Sequence, residues 1–265
     1  MSEKHNIQLV LSDVDRTLVM DDRSYPAAPV QAAARALRGN GVSLHTVTSR
    51  SRALHHKLVS PLDLRDNLCV LDGGATVAHA DSGNVVWSQW LSAETTRSVI
   101  TSIGQLCTNI HYDMQSRASD PQKVVELAQN NPTAIESAPS VFAIFNTERK
   151  QEIIGALAPL PEIQFTRVMN YEDQEALRCI QIVSAGIDKQ YGVMQMLAYA
   201  KLFDRRILAI GDGMNDFALF DAAGLDGVKV AMGNAPDELK DRADWVAPPV
   251  EEHGFAVAME HYNLI

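Results

Sequence analysis

Cysteine is scarce: three in 265 residues, Cys69, Cys107 and Cys179, far apart and without a C-x-x-C pair. An odd, scattered set supplies neither a disulfide framework nor a zinc site, and buried free thiols are expected. Basic residues are outnumbered, 23 Lys and Arg against 33 Asp and Glu, for a net charge of -10. A phosphate backbone needs a basic face, so this balance argues against a nucleic-acid partner. An anionic substrate needs local cations or a metal. Long apolar runs are missing too; the first, Ile7 to Leu11, is too short for a membrane span or a secretory segment. A cytoplasmic protein with no membrane partner is expected, as a monomer or homodimer. Repeats and low-complexity tracts are absent, and no G-x-G-x-x-G follows the first apolar run, which disfavours a dinucleotide-dependent dehydrogenase.

What is present, 46% hydrophobic and 21% charged residues, is enough for a full globular core. The length exceeds the usual single domain, so a large α/β domain or a main domain with a companion is expected. Near the start, strands at Ile7 to Ser12, Val42 to Val47 and Leu68 to Leu71 alternate with helices at Val30 to Arg38 and Ser51 to Val59. The alternation returns late. Helix Tyr191 to Leu202, strand Arg206 to Ile210, helix Asp216 to Ala222, strand Val228 to Ala231 and helix Pro236 to Arg242 follow one another. Such a series implies a doubly wound parallel sheet with right-handed crossovers. Between the halves, strands at Val85 to Trp90, Val141 to Phe145 and Leu177 to Val183 mix with helices at Ala93 to Cys107 and Thr147 to Ala158. That stretch reads as a separate α+β insertion, with Thr147 as a helix N-cap. The expected domains are 1–79 and 183–265 for the core and 80–182 for the insertion.

Chemistry concentrates at strand ends. Asp13-Val14-Asp15-Arg16-Thr17 follows the first strand, where open α/β sheets gather ligands. Gly211-Asp212-Gly213-Met214-Asn215-Asp216 follows a late strand and adds two more carboxylates. A hard divalent cation such as Mg²⁺ needs oxygen ligands and keeps waters, so one or two carboxylates from each end suffice. Thr48-Ser49-Arg50 ends the second strand with a hydroxyl and free N–H groups. Lys189 opens a helix where the chain re-enters the second half and brings an ammonium. Singly these are a solvated turn, an acidic loop, an N-cap and a surface lysine. Their joint occurrence at strand ends points to a phosphate site.

In this order the four strings resemble motifs I to IV of the haloacid dehalogenase (HAD) phosphatase superfamily, most closely the Cof-like subgroup with a type IIB cap. Val230 to Ala235, Ala243-Asp244 and His253-Gly254 are similar to the usual ending of Cof-like chains. The resemblance implies a HAD-like Rossmannoid core with an inserted α+β cap domain. The spacing agrees: Asp13 to Thr48 leaves room for one helix and one strand, and Thr48 to Lys189 for a whole domain. The activity implied is phosphate monoester hydrolysis, with a sugar phosphate as substrate, through an aspartyl-phosphate. Asp13 is then the nucleophile and Asp15 the general acid/base. Thr48, Lys189 and Asn215 bind the phosphate, or Asn215 positions Lys189. Mg²⁺ is held by Asp13, the Asp15 main-chain carbonyl, Asp212 and Asp216.

Two rival readings share these features. A phosphomannomutase-like phosphomutase has a longer motif IV loop than Gly211 to Asp216, and a phospho-accepting signalling module is about half this length. The chain departs from the Cof-like pattern at Arg16, where Gly is usual, and at Ser49 in place of the Gly of Thr-Gly-Arg. Arg16 either reaches a second anionic group on the substrate or pairs with a nearby Asp such as Asp21 or Asp22; pairing is the reading adopted. Arg50 is expected in a core ion pair. His55 and His56, adjacent on a helix, read as solvated surface. Asp72-Gly73-Gly74 is either a plain turn or a close approach to substrate. Asn234 and Asp244 read as structural, and Trp87 and Trp90 as core or hinge packing.

Overall fold

The computed structural model describes residues 6–20, 25–112, 120–165, 169–171 and 174–265. Two compact units emerge, one running up to Trp87 and resuming at Asp188–Ile265, the other Ser88–Ile187. The breaks fall later than the 79/80 and 182/183 expected; the first does so because a strand at Val85–Ser88, expected in the insertion, extends the core sheet.

The core unit begins with β1 (Leu9–Ser12), α1 (Ala28–Gly39), β2 (Ser43–Val47), α2 (Arg52–Val59), β3 (Leu68–Leu71), β4 (Thr76–His79) and β5 (Val85–Ser88). β1 is buried along its length, as a central parallel strand covered on both faces must be. Its alternate residues serve two cores: Val10 packs in the cluster with Leu37 of α1, and Leu9 and Leu11 in the cluster on the opposite face. α1 buries Val30, Ala33, Ala34 and Leu37, the stripe of an amphipathic helix, with a proline in its first turn. β4 runs antiparallel to β3.

The inserted unit contains α3 (Ala93–Ile103), β6 (Asn109–His111), α4 (Pro121–Asn130), β7 (Val141–Asn146), α5 (Lys150–Leu157), β8 (Ile163–Phe165), β9 (Met169–Tyr171) and β10 (Gln174–Ser184). Its antiparallel sheet is ordered β6-β7-β10-β8, with β9 also on β10. Val99, Ile103, Val141, Phe145, Ile153 and Ile180 form its own core. Thr147 is not an N-cap. Its hydroxyl donates to the Glu175 carbonyl at 2.7 Å, and α5 starts after a 3-10 turn, Thr147–Arg149.

The core resumes with α6 (Lys189–Ala200), β11 (Ile207–Gly211), α7 (Phe217–Ala223), β12 (Val228–Ala231), α8 (Asp237–Lys240), β13 (Trp245–Val246) and α9 (Gly254–His261). The full sheet is ordered β13-β12-β11-β1-β2-β3-β4-β5. From β1 the chain winds outward through β2 and β3, then returns to wind the other way from β11. The strand order therefore reverses between β1 and β11, the position at which open α/β sheets leave a crevice beyond their carboxyl ends. Among the described residues, no helix is long and apolar enough to cross a membrane. Cys69 and Cys179 are buried and Cys107 half-buried, all as free thiols. Burial pushes them up to about 12, 11 and 12 respectively, which keeps them protonated and unreactive.

Candidate active site

β1 and β11 are hydrogen-bonded neighbours, so the residues after them share one edge. Ser12 aligns with Ile210, and the Asp13 N–H donates to the Ile210 carbonyl at 3.0 Å. Asp216 folds back over the end of β11. Its Oδ2 accepts the N–H groups of Asp212 and Gly213 at 2.9 and 2.8 Å. Glycine at 211 permits this, since a Cβ there would lie 2.4 Å from the Asp216 Cγ. One carboxylate oxygen each from Asp13, Asp212 and Asp216 fall within 4.8 Å of one another.

Lys189 completes the cluster from α6. Asp188 caps this helix by accepting the Tyr191 N–H at 2.8 Å, and the inner stripe Lys189, Gly192, Val193 and Met196 is buried. The Lys189 Nζ donates to Asp13 Oδ1 at 2.7 Å and to Asp216 Oδ1 at 2.6 Å. Gly74 makes this approach possible: its φ is +114° and a Cβ there would sit 1.9 Å from the Asp188 carbonyl oxygen. The Asp72 to Gly74 turn is thus the seat of the α6 N-terminus.

Burial acts to discharge Lys189, but the charges of Asp13 and Asp216 outweigh it and raise the ammonium above its usual range. The carboxylates respond differently. Burial drives Asp13 well up, opposed by Lys189 and reinforced by Asp216, Asp212 and Asp15. Burial and the Asp216 charge push Asp212 up to about 7, against the pull of Arg16 and Lys189. One ammonium faces three clustered acids. That negative surplus on hard oxygen donors fits a divalent cation such as Mg²⁺.

Asp15 lies apart from this cluster, with 41% of its side chain exposed. The Arg50 Nε donates to its two oxygens at 3.0 and 2.9 Å, and Nη2 adds a further bond to Oδ1. Arg50 is itself buried, so it is the expected ion pair. The Thr48 hydroxyl is buried and accepts the Arg50 N–H at 3.1 Å. The Asn215 amide faces the Ser49 hydroxyl at 3.5 Å rather than Lys189, whose hydrogen bonds go to Asp13 and Asp216.

The turn after Asp15 holds a residue in the left-handed region. Arg16 has φ +57°, and its N–H donates to the Val19 carbonyl at 2.7 Å. An L-residue there costs roughly 1–2 kcal/mol, which accounts for the glycine common at this place in Cof-like chains. Asp21 and Asp22 lie outside the described residues; the ion contact of Arg16 among them is Asp212 Oδ2, 3.8 Å from Nε. Asn234, read from the sequence as structural, reaches the site. Its amide donates to Asp212 Oδ2 at 3.2 Å and to the Arg16 carbonyl at 3.1 Å, while its Oδ1 accepts the Val250 N–H. Thr17 donates to Asp212 Oδ1 at 3.3 Å. Asp244 does remain structural, accepting the Lys229 N–H.

One further residue differs from expectation, and a second, Asp72, is unusual in its burial. His55 is buried, not solvated: it faces the sheet from α2 and shares a 2.7 Å hydrogen bond with the Thr46 hydroxyl, and burial lowers it to about 3. Asp72 is buried with φ +55° and an Oδ2 that lacks a hydrogen-bond partner among the described residues. Burial pushes it up to about 7, against a Thr76 hydrogen bond and the Arg52 charge. Trp87 packs on the Tyr191 ring, with centroids 5.8 Å apart.

Residues 10–259 match the haloacid dehalogenase-like hydrolase family. The chain belongs to that family. As a HAD hydrolase it is a phosphoric monoester hydrolase of the Cof-like, type IIB cap group. It is 24% identical to the Bacillus subtilis 5-amino-6-(5-phospho-D-ribitylamino)uracil phosphatase YcsE, over 99% of this chain and 98% of that protein. A Streptococcus pyogenes candidate bifunctional phosphatase/peptidyl-prolyl cis-trans isomerase is 27% identical over 98% of this chain. The match spans 54% of that longer protein. Among solved structures, a HAD subclass IIB sugar phosphatase superposes with a TM-score of 0.76 at 19% identity, covering 97% of this chain and 100% of that one.

Proposed function

We propose that the protein is a Mg²⁺-dependent phosphatase that hydrolyses a small phosphate monoester, most readily a sugar phosphate, through an aspartyl-phosphate on Asp13. The observation that carries this reading is the Lys189 ammonium bridging Asp13 and Asp216, with Asp212 in the same cluster. The sugar-phosphate element rests on likeness to the subclass IIB sugar phosphatase.

In this reading the Asp13 carboxylate attacks phosphorus in line, and the ester oxygen leaves as an alcohol after taking a proton from Asp15. Asp15 then accepts a proton from the water that cleaves the aspartyl-phosphate. Arg50 sets where Asp15 starts and must yield a bond for its carboxyl to reach the leaving oxygen. Lys189 has three donors; two fix the orientation of Asp13 and Asp216, and the third is available to a phosphoryl oxygen. Thr48 and Asn215 line the same edge as phosphate ligands. Asp13, Asp212, Asp216 and the Asp15 main-chain carbonyl are the groups that would hold Mg²⁺. When bound, the ion offsets the repulsion between the carboxylate and the anionic ester.

Screening phosphorylated metabolites for phosphate release, with Mg²⁺ and after chelation by EDTA, tests the reading. Mg²⁺-dependent release supports it. Full activity after exhaustive chelation, or an isomerised ester in place of phosphate, contradicts it.

A further inference from the structure

Among the described residues three cations stand at the catalytic edge, and two are buried in ion pairs. Lys189 is buried between Asp13 and Asp216, and Arg50 is buried against both oxygens of Asp15. Arg16 differs. Its side chain is 56% exposed, and its contact with Asp212 is 3.8 Å, beyond hydrogen-bond reach. Asp212 is already served on both oxygens, by Thr17 and by Asn234. Among the described residues the Arg16 guanidinium makes no hydrogen bond, so five N–H donors and a full charge face outward beside the reactive carboxylates.

The backbone beneath it is fixed. The Arg16 N–H is tied to Val19 and its carbonyl to Asn234, and the residue is kept at positive φ, where glycine is the relaxed choice. A charged side chain on a strained, braced turn, whose donors make no hydrogen bond among the described residues, points to a ligand. The planar fork of a guanidinium suits a carboxylate or a phosphate, and it lies within the one edge where an ester phosphate would bind.

We infer that Arg16 recognises a second anionic group on the substrate, so that the preferred ester is a phosphorylated sugar or polyol that also carries a carboxylate or another phosphate. The inference rests on the phosphatase reading above and narrows it. Two features of the chain agree with it. The engaged state of Lys189 and Arg50 leaves neither free to meet a second charge, and the net charge of -10 would repel a doubly anionic ester unless a local cation received it.

The test compares matched esters: 6-phosphogluconate with glucose 6-phosphate, and fructose 1,6-bisphosphate with fructose 6-phosphate, alongside p-nitrophenyl phosphate. Wild type should favour one or both doubly anionic esters by about tenfold or more in kcat/KM, the worth of a charge-assisted bond. Which pair shows the preference tells carboxylate from phosphate. Arg16→Gly, which relaxes the turn, should bring that ratio close to one through KM, and Arg16→Lys should leave an intermediate ratio. A ratio near one in the wild type, or a preference unchanged in Arg16→Gly, overturns the inference. So does a lower melting temperature in Arg16→Gly with an equal loss on every ester, which would make Arg16 a brace. Hydrolysis of p-nitrophenyl phosphate by the wild type separates these failures from failure of the phosphatase reading, since absence of turnover on every ester removes both.

Discussion

Arg50 holds Asp15 by both carboxylate oxygens, from a buried position on the loop that follows β2. The carboxyl group assigned to proton transfer is therefore parked on a cation one strand away from the nucleophile. Asp15→Asn should spare the first chemical step when the leaving group is already a good one, because p-nitrophenolate needs no proton. The second step would lack its base. A burst of nitrophenol of about one equivalent per site, followed by a stall, is expected in rapid-quench kinetics. Steady turnover at the wild-type rate would remove Asp15 from proton transfer.

Among the described residues Lys189 is the sole cation between two buried acids. Lys189→Met leaves Asp13 and Asp216 facing each other without it, at a cost of about 3–5 kcal/mol in unfolding free energy, read from urea denaturation in EDTA. Added Mg²⁺ should recover part of that loss by binding the folded state. A loss below about 1 kcal/mol would contradict the charge balance described here.

Asp72 gives a pH dependence. Its carboxyl titrates near 7 when folded, against 3.8 in the free chain, because burial disfavours the charge. The folded state then holds the extra proton between these values, so the Asp72 contribution is most favourable below about pH 4, falls as pH rises to about 7, and stays low above it. Asp72→Asn should be more stable than wild type at pH 8 by an amount on the order of 4 kcal/mol, shrinking toward pH 4. A difference that does not vary with pH would show that the carboxyl is ionised throughout.

Gly74 links fold to site. Gly74→Ala puts a methyl group against the Asp188 carbonyl and forces φ +114° on an L-residue. The start of α6 must move, and Lys189 with it. Stability should fall by more than about 2 kcal/mol, with kcat reduced more than KM is raised. Wild-type kcat in a folded Gly74→Ala variant would show that the seat of α6 does not set the Lys189 position.

The motifs at the strand ends were legible because each is local: a short apolar strand, then acids or hydroxyls in a turn. Asp13, Asp212 and Lys189 lie far apart in sequence, yet one rule, that parallel sheets gather ligands at the carboxyl edge, brings them together. What eluded the sequence depends on contacts between distant segments. Asn234 touches Asp212 only because β12 lies beside β11, and nothing near residue 234 signals it. His55 is buried because α2 turns it toward Thr46, a pairing that adjacency to His56 concealed. The strand β5 looked like the start of the insertion, since it is short and follows a turn.

The central claim is that Asp13 is phosphorylated during turnover. Acid quench of the Asp15→Asn variant during reaction with a phosphate ester, followed by borohydride reduction and peptide mapping, tests it directly. Reduction of an acyl phosphate converts its aspartate to homoserine, so homoserine at position 13 is the predicted result. An unmodified Asp13, or homoserine at another aspartate, would contradict the account.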